Sequence, residues 1–489
     1  MTSEATQGPA HDARLRARIQ EEALYGRLPV LASEREYDTG GILATGITYA
    51  MATWCFLIGG YAANVTGLVA GIVALVGGSL VGVTLSVAAA AMACNRYGLE
   101  QIDYVKSSFG QRGAKLVLLL YIANQLGWTG TILVMWGRGV QNTWQSFGWA
   151  SSEDTVRGVV LIALALAYLV VWRGVHVLNV FNKIVTPGLL VVTALLFYVI
   201  LRHRSWAEML VLPPLEPSTD ARWGRIVAFE YGLGAGFSWW PGIGFLTRNA
   251  ISQRVSLWPQ LLTLGIGMGV ICCVGLMAGL VFRSYDPTVW MVQAGGPALG
   301  VMALLLVACA NLTAAAIMMF TAALGLRHVR RFQATPWWKL GAFTFSPLLA
   351  YVLFPEALYE HGSAFLAYNA TAFAPICGIL LVDYLALRRQ RLNLSQFFEG
   401  APQGHYWFLR GFNPVALGCM LLGQGLYVWL LDPVTLEGQP AAAVWTASAP
   451  SVLVSMGLYA LLTHIWIIPR GLGGYGATTT PLPLLNPNL

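Results

Sequence analysis

An amide and an indole with the right spacing to hold a flat ring lie in the apolar sequence YIANQLGWTG. Gln125 and Trp128 are three residues apart, so in a helix both side chains project from one face. The glutamine amide offers one acceptor and two donors to the polar edge of a heterocycle, and the indole offers a face for stacking. The pair therefore indicates a binding site for a small, flat, nitrogen-containing molecule.

Polar groups interrupt three other apolar stretches. Asn311 lies in VACANLTAAAIMMF, and Glu230 and Asp383 are carboxylates near the ends of apolar stretches. Polar side chains at membrane depth are costly and usually face the interior of a helical bundle. Asn311 and Gln125 therefore serve either a ligand or hydrogen bonds between helices. Each carboxylate either exchanges protons or forms a structural contact, and the structural role is the commoner one.

The other reactive side chains show no spacing suited to catalysis. The seven Cys and the seven His have none of the patterns that bind zinc or build a disulfide framework. The apolar stretches contain no clustered His/Asp or Ser/His set. The sequence therefore predicts no metal site and no cofactor, and it disfavours a membrane-embedded enzyme. Aromatic and amide groups also suit one bound solute better than a continuous pore.

Composition defines the elements that must hold these residues. Of the 489 residues, 56% are hydrophobic and 10% are charged, which is typical of a membrane protein. A membrane-spanning helix needs about 20 mostly apolar residues, and the chain contains about twelve such stretches. Lys and Arg fall mostly in loops on the side of both termini, which predicts that both termini are cytoplasmic. This asymmetry and anionic lipid account for the net charge of +7, so no nucleic-acid partner is expected.

Two of these stretches contain residues that interrupt helices. The first is TWCFLIGGYAANVTG, with Gly59 and Gly60 in its middle, and the sixth is GAGFSWWPGIGF, which contains Pro241. Glycines can simply let helices pack closely, but non-helical backbone at membrane depth is tolerated where it is buried in protein or lines a cavity. We therefore expect the two breaks to mark a site.

The separation of the breaks predicts how the chain is organised. They are five stretches apart, as expected for two five-helix repeats of opposite topology that each begin with a broken helix. The predicted fold is an all-α polytopic membrane protein with two additional C-terminal helices. The predicted parts are a cytoplasmic tail at 1–38, a ten-helix core at 39–390 with repeats at about 39–202 and 223–390, two further helices at 391–470, and a cytoplasmic tail at 471–489.

Three stretches together resemble the nucleobase:cation symporter family, which includes permeases for cytosine, purines, hydantoins and hydroxymethylpyrimidine. FAPICGILLVDYLALRRQR is similar to a family pattern of Pro-x-x-Gly, an apolar run, Asp-Tyr and a basic end. NRYGLEQIDYVKSSFGQRGAKL is similar to the connection between the second and third helices, and FSWWPGIGFLTR to the sixth helix. The resemblance extends over roughly residues 40 to 395, and the order and spacing of the motifs make it fairly specific.

The resemblance implies a set of substrate-binding residues. The closest local resemblance is to the cytosine permeases of this family, whose third helix has a Gln-x-Gly-Trp unit in which the Gln bonds the pyrimidine and the Trp stacks on it. Gln125, Gly127 and Trp128 match this unit. The Asn of the eighth helix that contacts substrate corresponds to Asn311. In the sixth helix Ser238 matches a site Ser. The family's aromatic residue two positions earlier is replaced by Gly236, which would leave room for a larger ring. The ring would then be covered by a neighbour of these residues, either Phe237 or Trp239.

The same resemblance places sodium coupling in doubt. The family pattern has two consecutive Thr hydroxyls after the eighth-helix Asn, and one or both bind sodium together with first-helix carbonyls, here near Thr53 and Phe56. This chain has Ala314 and Ala315 at those positions, and Thr313 lies about 100° around the helix. Because hard cations need oxygen ligands, we expect any sodium site to be degraded. Protons, or no coupling ion, are favoured.

The expected function is therefore import of a nucleobase or related nitrogen heterocycle by alternating access. A hydroxymethylpyrimidine, hydantoin or allantoin-type substrate is the alternative that the resemblance leaves open. The chain is rich in Ala and Gly and has many more Arg than Lys, which is typical of bacterial genomes rich in G and C. This composition favours a bacterial plasma membrane as the location. The expected partners are the small heterocycle and the lipid bilayer, and no protein partner is predicted.

Overall fold

The computed structural model describes residues 28–50, 52–173, 175–217, 220–399, 402 and 404–475. These residues form helices joined by short connections, and no β-strand occurs in these ranges. Six helices are long and apolar enough to cross a membrane singly, and one bent pair makes a seventh candidate. The N-terminal tail predicted at 1–38 falls largely on residues 1–27, outside the described ranges, as does most of the C-terminal tail.

Twelve helical segments follow the predicted apolar stretches. Segments 1 to 5 are Thr39–Ala50 with Thr53–Val65, Leu68–Tyr97, Gly113–Ser146, Glu153–Arg173 and Val175–His203. Segments 6 to 10 are Ala221–Phe237 with Trp240–Arg248, Gln253–Phe282, the part of Pro287–Arg327 that follows Gly296, Trp337–Phe345 with Leu349–Leu353, and Gly362–Leu387. Segments 11 and 12 are Pro414–Leu430 and Ser448–Arg470.

Shorter helices connect the segments. The 2–3 helix is Gln101–Phe109, between segments 2 and 3. Its counterpart in the second half of the chain is the 7–8 helix. This is the part of Pro287–Arg327 that precedes Gly296, where a positive φ of 62° separates it from segment 8. Helices Trp206–Leu210 and Pro355–Glu360 follow segments 5 and 9.

The segments begin alternately at two faces of the bundle. On the face that we call the terminal face, the residues preceding segment 1 meet the end of segment 6, because the Tyr37 N–H donates to Asn249 O at 3.0 Å and the Ile251 N–H donates to Tyr37 O at 3.0 Å. On the opposite face, called the far face, the Leu215 N–H donates to Ala63 O at the end of segment 1. Segments 1 and 6 therefore begin at opposite faces, as two repeats of opposite topology require.

The break in segment 1 does not lie at the predicted glycines. The two helical parts are bent by 51° where Ala50 is separated from Thr53. Gly59 and Gly60 lie inside the second helical part, and a Cβ added to them would come within 1.9 Å of Cys272 O and 2.0 Å of Tyr285 O. The prediction that these glycines break the helix is wrong, because their role is to admit the backbone of a neighbouring element.

The break in segment 6 lies where the sequence predicts it. Its first helical part ends at Phe237, and the second begins at Trp240 with Pro241 in its first turn. Pro has no N–H to donate to the preceding turn, so the helical hydrogen-bond ladder is interrupted there and a new helix begins. The Gly242 N–H instead donates to Trp239 O across the turn at 2.9 Å.

Glu230 of segment 6 binds the start of segment 12. One carboxylate oxygen accepts the N–H groups of Ala447 and Ser448 at 2.6 and 2.9 Å. The other accepts the Ser448 hydroxyl at 2.6 Å and the Tyr427 hydroxyl of segment 11 at 3.3 Å. A carboxylate is favourable at a helix N-terminus, where N–H groups lack partners within the helix. Glu230 thus anchors the C-terminal helices to the core.

Asp383 of segment 10 makes the equivalent attachment at the terminal face. It accepts hydrogen bonds from the Ser108 hydroxyl at 2.8 Å, Arg388 Nε at 2.7 Å, the Tyr459 hydroxyl at 3.0 Å and the Tyr475 hydroxyl at 2.6 Å. Both core carboxylates are therefore surrounded by donors, and this arrangement favours the structural role over proton exchange.

Candidate functional site

A small cavity lies where the breaks of segments 1 and 6 meet segments 3 and 8. It encloses about 40 Å³ of water-sized space. Its walls are mostly apolar and aromatic, with a few hydroxyl and amide groups. The lining residues are Tyr49, Trp54, Gln125, Trp128, Ser238, Trp239, Gly242, Ala314, Ile317, Met318 and Thr321.

Four aromatic rings form a continuous wall of this cavity. The Trp54 ring lies between Trp128, at 5.2 Å between ring centroids, and Trp239, at 5.5 Å. Tyr49 stacks on Trp239 at 5.5 Å with an interplanar angle of 13°. Such rings offer π faces to a flat ligand. Because the indoles contact one another, a bound ring would have to separate them.

The polar groups of the cavity come from Gln125, Ser238, Thr321 and the indoles. Gln125 Nε2 donates to the Thr321 hydroxyl at 2.6 Å and to Met318 O at 3.3 Å. The indole N–H groups of Trp54 and Trp128 are buried and have no hydrogen-bond partner among the described residues. A buried donor without a partner costs free energy, so a ligand acceptor would be bound favourably where a side-chain movement brings one of these N–H groups to the cavity.

The structure places four of the seven predicted substrate-binding residues on the cavity, namely Gln125, Trp128, Ser238 and Trp239. Gln125 and Trp128 share one face of segment 3, as their spacing predicts. Ser238 and Trp239 form the break of segment 6, and the Ser238 hydroxyl donates to Ala235 O at 2.6 Å. The sequence pattern at this break therefore identified cavity residues.

Gly236 and Phe237 lie away from the cavity, contrary to expectation. Gly236 packs on segment 2: a Cβ there would lie 2.6 Å from Val83 N, and Gly236 O accepts the Ser86 hydroxyl at 3.1 Å. Phe237 is completely buried. Gly236 therefore admits a neighbouring helix and does not enlarge the site. Of the two aromatic residues predicted to cover a bound ring, Trp239 is the one that lines the cavity.

Asn311 binds segment 1 and does not line the cavity. Its Oδ1 accepts the Thr53 hydroxyl at 2.6 Å and the Thr53 N–H at 3.4 Å, and its Nδ2 donates to Ile132 O at 3.5 Å. The amide thus holds segment 8 against the break of segment 1, beside the cavity. This contact corresponds to the interhelical alternative that the sequence left open.

The predicted cation region near Thr53 and Phe56 is occupied by protein hydrogen bonds. Besides the Thr53 contact with Asn311, Ala50 O accepts the Cys55 thiol at 2.9 Å. Ala314 contributes a methyl group to the cavity, and Thr313 is buried outside its lining. Within the described ranges, no three His, Cys, Asp or Glu residues are grouped so that they could hold a metal ion.

Sequence reasoning missed three important cavity residues, Tyr49, Trp54 and Thr321. Trp54 lies in the very stretch quoted for the break of segment 1, so an aromatic residue beside a predicted break was an available signal. Thr321 is a polar residue in the run MMFTAALG and lies opposite Gln125. Tyr49 had no distinguishing feature, because its contact with Trp239 joins distant parts of the chain.

Known sequences similar to this chain are membrane permeases. A family model for permeases for cytosine and purines, uracil, thiamine and allantoin matches residues 45–449. The purine-uracil permease NCS1 of Arabidopsis thaliana is 25% identical over 356 residues, 67% of this chain and 58% of that protein. The transporter aclS of Aspergillus oryzae is 34% identical over 91 residues, 18% of this chain and 13% of that protein. The chain thus spans less than two thirds of the length of these curated relatives.

Solved structures share the fold over nearly the whole chain. Mhp1, a nucleobase-cation-symport-1 family transporter solved in a closed conformation with bromovinylhydantoin bound, has a TM-score of 0.74 at 17% identity, covering 90% of this chain and 94% of its own. Its inward-facing conformation has a TM-score of 0.75 at 15% identity, with coverages of 93% and 97%. A Na⁺-coupled sialic acid symporter has a TM-score of 0.58 at 9% identity, with coverages of 92% and 94%. These likenesses confirm the predicted fold, an all-α polytopic membrane protein.

Proposed function

The chain belongs to the family of permeases for cytosine and purines, uracil, thiamine and allantoin, and we propose that it is a secondary transporter of a nucleobase or a related nitrogen heterocycle. Transport would proceed by alternating access around the cavity between the breaks of segments 1 and 6. The matches are to transporters, in agreement with the prediction that the chain is not an enzyme.

The observation that carries this proposal is the chemistry of the cavity. Trp128 and Trp239 provide ring faces, Gln125 provides an amide, and the indole N–H groups of Trp54 and Trp128 lack acceptors among the described residues. A ring that bears carbonyl oxygens would satisfy these indole N–H groups once they turn toward the cavity, and we therefore expect such a ring to be favoured. Oxo-substituted pyrimidines, oxopurines, hydantoins and allantoin share this feature.

The coupling mode belongs to the same proposal: protons or no ion, in preference to sodium. Ala314 and Ala315 supply no side-chain oxygen to a cation, and the Ala50 carbonyl and the Thr53 hydroxyl are engaged by Cys55 and Asn311. A sodium ion would have to displace these hydrogen bonds without gaining a full set of oxygens. The location that we propose is a bacterial plasma membrane, with the terminal face and both chain ends in the cytoplasm.

A binding screen tests the substrate class. Purified protein in detergent would be titrated with about twenty purines, pyrimidines, hydantoins and related rings, with tryptophan fluorescence as the readout. We expect an oxo-substituted ring to bind. Trp128→Ala and Gln125→Ala should each weaken that binding by about five- to 150-fold, since a stacking contact or a buried hydrogen bond contributes about 1 to 3 kcal/mol.

Trp149→Ala is the matched control, because Trp149 is exposed and does not line the cavity. It should retain the affinity of the unmodified protein. Equal affinity in the Trp128, Gln125 and Trp149 variants would show that the cavity is not the substrate site. Binding confined to rings without a carbonyl would overturn the substrate chemistry proposed above.

A further inference from the structure

A cluster of buried charges lies at the terminal face, away from the substrate cavity. Glu100 caps the 2–3 helix, with Oε2 accepting the Ile102 N–H at 2.6 Å. His328, at the end of segment 8, lies between two carboxylates: its Nδ1 is 3.0 Å from Asp103 Oδ2, and its Nε2 is 3.8 Å from Glu100 Oε2. The side chains of all three residues are only 1% exposed.

The cluster joins elements of the two repeats at the terminal face. Glu100 and Asp103 belong to the 2–3 helix, and His328 follows segment 8. The 2–3 helix also holds segment 6 directly, because Gln101 Oε1 accepts the Gly244 N–H at 2.7 Å. Any motion that moves segment 8 away from the 2–3 helix would break the contacts of His328 with that helix.

The protonation state of His328 decides the charge balance of this contact. With a neutral imidazole, two buried carboxylates stand against two cations, Lys106, which pairs with Asp103, and Arg248, which acts on both acids. A proton on the imidazole adds a third cation within 4 Å of both carboxylates, and attraction between opposite charges is strong where water is excluded.

The proton would bind the imidazole and not the neighbouring aspartate. Burial tends to raise the pKa of Asp103, but the charges of His328 and Lys106 outweigh it and hold this pKa well below its ordinary value. Asp103 therefore remains ionised across the interval from about pH 5 to 8 in which histidine changes charge. The other ionisable groups around the cluster or its cavity are Cys94, Arg112, Lys115, Tyr121, Arg327 and Arg330.

A water-sized route reaches this histidine. A cavity of about 490 Å³ is lined by His328 and Lys106 together with Arg112, Lys115 and Arg330, near the terminal-face ends of segments 3 and 8. The last three side chains are exposed, so their charges are screened by water and salt. The carboxylates at 3.0 and 3.8 Å are buried and screened less. The imidazole nitrogens themselves are buried, so a proton exchanges with the solution at this face only when the contact loosens.

We propose that His328, held between Asp103 and Glu100, is a proton-binding site through which acidity at the terminal face stabilises the closed form of that face. This inference rests on the proposed alternating-access function but concerns a separate site. A proton from water binds an imidazole nitrogen, strengthens the contact of segment 8 with the 2–3 helix, and leaves to the same solution when the face opens. Because it enters and leaves on one side, it controls opening and does not drive accumulation of substrate.

The test measures opening directly and needs no substrate. Spin labels would be attached to the full-length protein at Arg254→Cys and Arg331→Cys, two exposed positions at the terminal-face ends of segments 7 and 8. The distances between the labels would be recorded from pH 5 to pH 8. We expect two populations, with the shorter distance favoured at acid pH. Their ratio should change by no more than tenfold per pH unit, the limit for one proton.

Two substitutions assign this response to His328. His328→Gln, which is uncharged, should leave the longer-distance population at every pH, and His328→Arg should hold the shorter one. His361→Gln is the matched control, because His361 is exposed at the far face, and it should titrate like the unmodified protein. A pH response that persists in His328→Gln, or no response in the unmodified protein, overturns the proposal. Neither result depends on whether the substrate screen succeeds.

Discussion

Each face of the bundle carries an acidic side chain that caps a connecting helix. Near it lies a basic side chain, His or Arg, at the end of a segment from the other repeat. At the terminal face, Glu100 caps the 2–3 helix and lies near His328 after segment 8. At the far face, Asp286 caps the 7–8 helix, accepting the Thr288 N–H at 2.8 Å, and Arg138 of segment 3 binds it at 2.8 Å. The repeats thus use one arrangement twice, with the roles of the two halves exchanged.

The difference between the faces lies in the cation. Arg138 is charged at all relevant pH values. It binds Asp286 through two nitrogens, pairs with Glu356, and lies 4.7 Å from the centre of the Tyr359 ring. His328 is charged only when it is protonated. The comparison teaches that one fold can hold one face with a permanent ion pair and the other with a pH-dependent one.

Removing the far-face acid should have the largest effect. Asp286→Ala deletes the helix cap, leaves Arg138 with Glu356 as its remaining carboxylate, and removes the acceptor of the Tyr359 hydroxyl. Arg138 would then be only partly compensated, by the more exposed Glu356, so we expect destabilisation by about 3 kcal/mol. The measurement is thermal unfolding of the purified protein. Asp432→Ala removes an exposed turn carboxylate and should change the melting temperature far less; equal losses would contradict the comparison.

Exchanging the cation should transfer pH dependence to the far face. In Arg138→His, a protonated imidazole would be stabilised by Asp286 and Glu356, so its pKa in the folded protein would exceed the unfolded value. Its contribution to stability would be present at acid pH and lost as the pH rises through the folded-state pKa. We expect a difference of about 1 to 2 kcal/mol between pH 5 and pH 8. A melting curve as insensitive to pH as that of the unmodified protein would count against this reading.

The pair of Lys106 with Asp103 allows a test of the acidic side chains at the terminal face. The Lys106 ammonium helps to hold the pKa of Asp103 in the folded protein below the ordinary value. Ionised Asp103 therefore stabilises the fold at any pH above its pKa in the unfolded chain. This stabilisation is lost as the pH falls through the pKa of Asp103 in the folded protein. Lys106→Met should move that loss to higher pH and make the protein more sensitive to acid below about pH 5, by about 1 kcal/mol. Lys115→Met, in the same cavity but not paired with Asp103, is the control; equal acid sensitivity would refute the effect.

The sequence predicts the architecture well because hydropathy and helix-breaking residues act locally. The apolar stretches, the break at Pro241 and the shared face of Gln125 and Trp128 are each readable within about 20 residues. Gly59 and Gly60 were misread because a glycine that admits a helix and a glycine that breaks one look alike in a sequence. Gly236 was misread because the space beside a glycine can be filled by a neighbouring helix as well as by a ligand. Their roles depend on which backbone lies opposite.

Contacts between distant segments were not predictable from spacing. His328 has no carboxylate at helical spacing within its own segment, and its partners lie more than 200 residues earlier in the chain. Asn311 and Thr53, and likewise Trp54 and Trp239, also meet although they are far apart in the chain. A single sequence indicates which residues are polar or aromatic, and the inverted repeats decide which of them meet.

The smallest effect on stability is expected from Glu100→Gln, which keeps a helix-capping oxygen but removes the negative charge. The amide oxygen of Gln can still accept the Ile102 N–H, and Glu100 Oε1 has no hydrogen-bond partner in the described part of the chain. Removal of a buried charge also lessens its desolvation cost, so stability at pH 8 should change by less than about 1 kcal/mol. Protonated His328 would lose one of its two carboxylate neighbours, and the midpoint of the spin-label distance change should move to lower pH. An unchanged or higher midpoint would show that Asp103 alone sets the proton affinity and that the cap, unlike Asp286 at the far face, takes no part in the ionic contact.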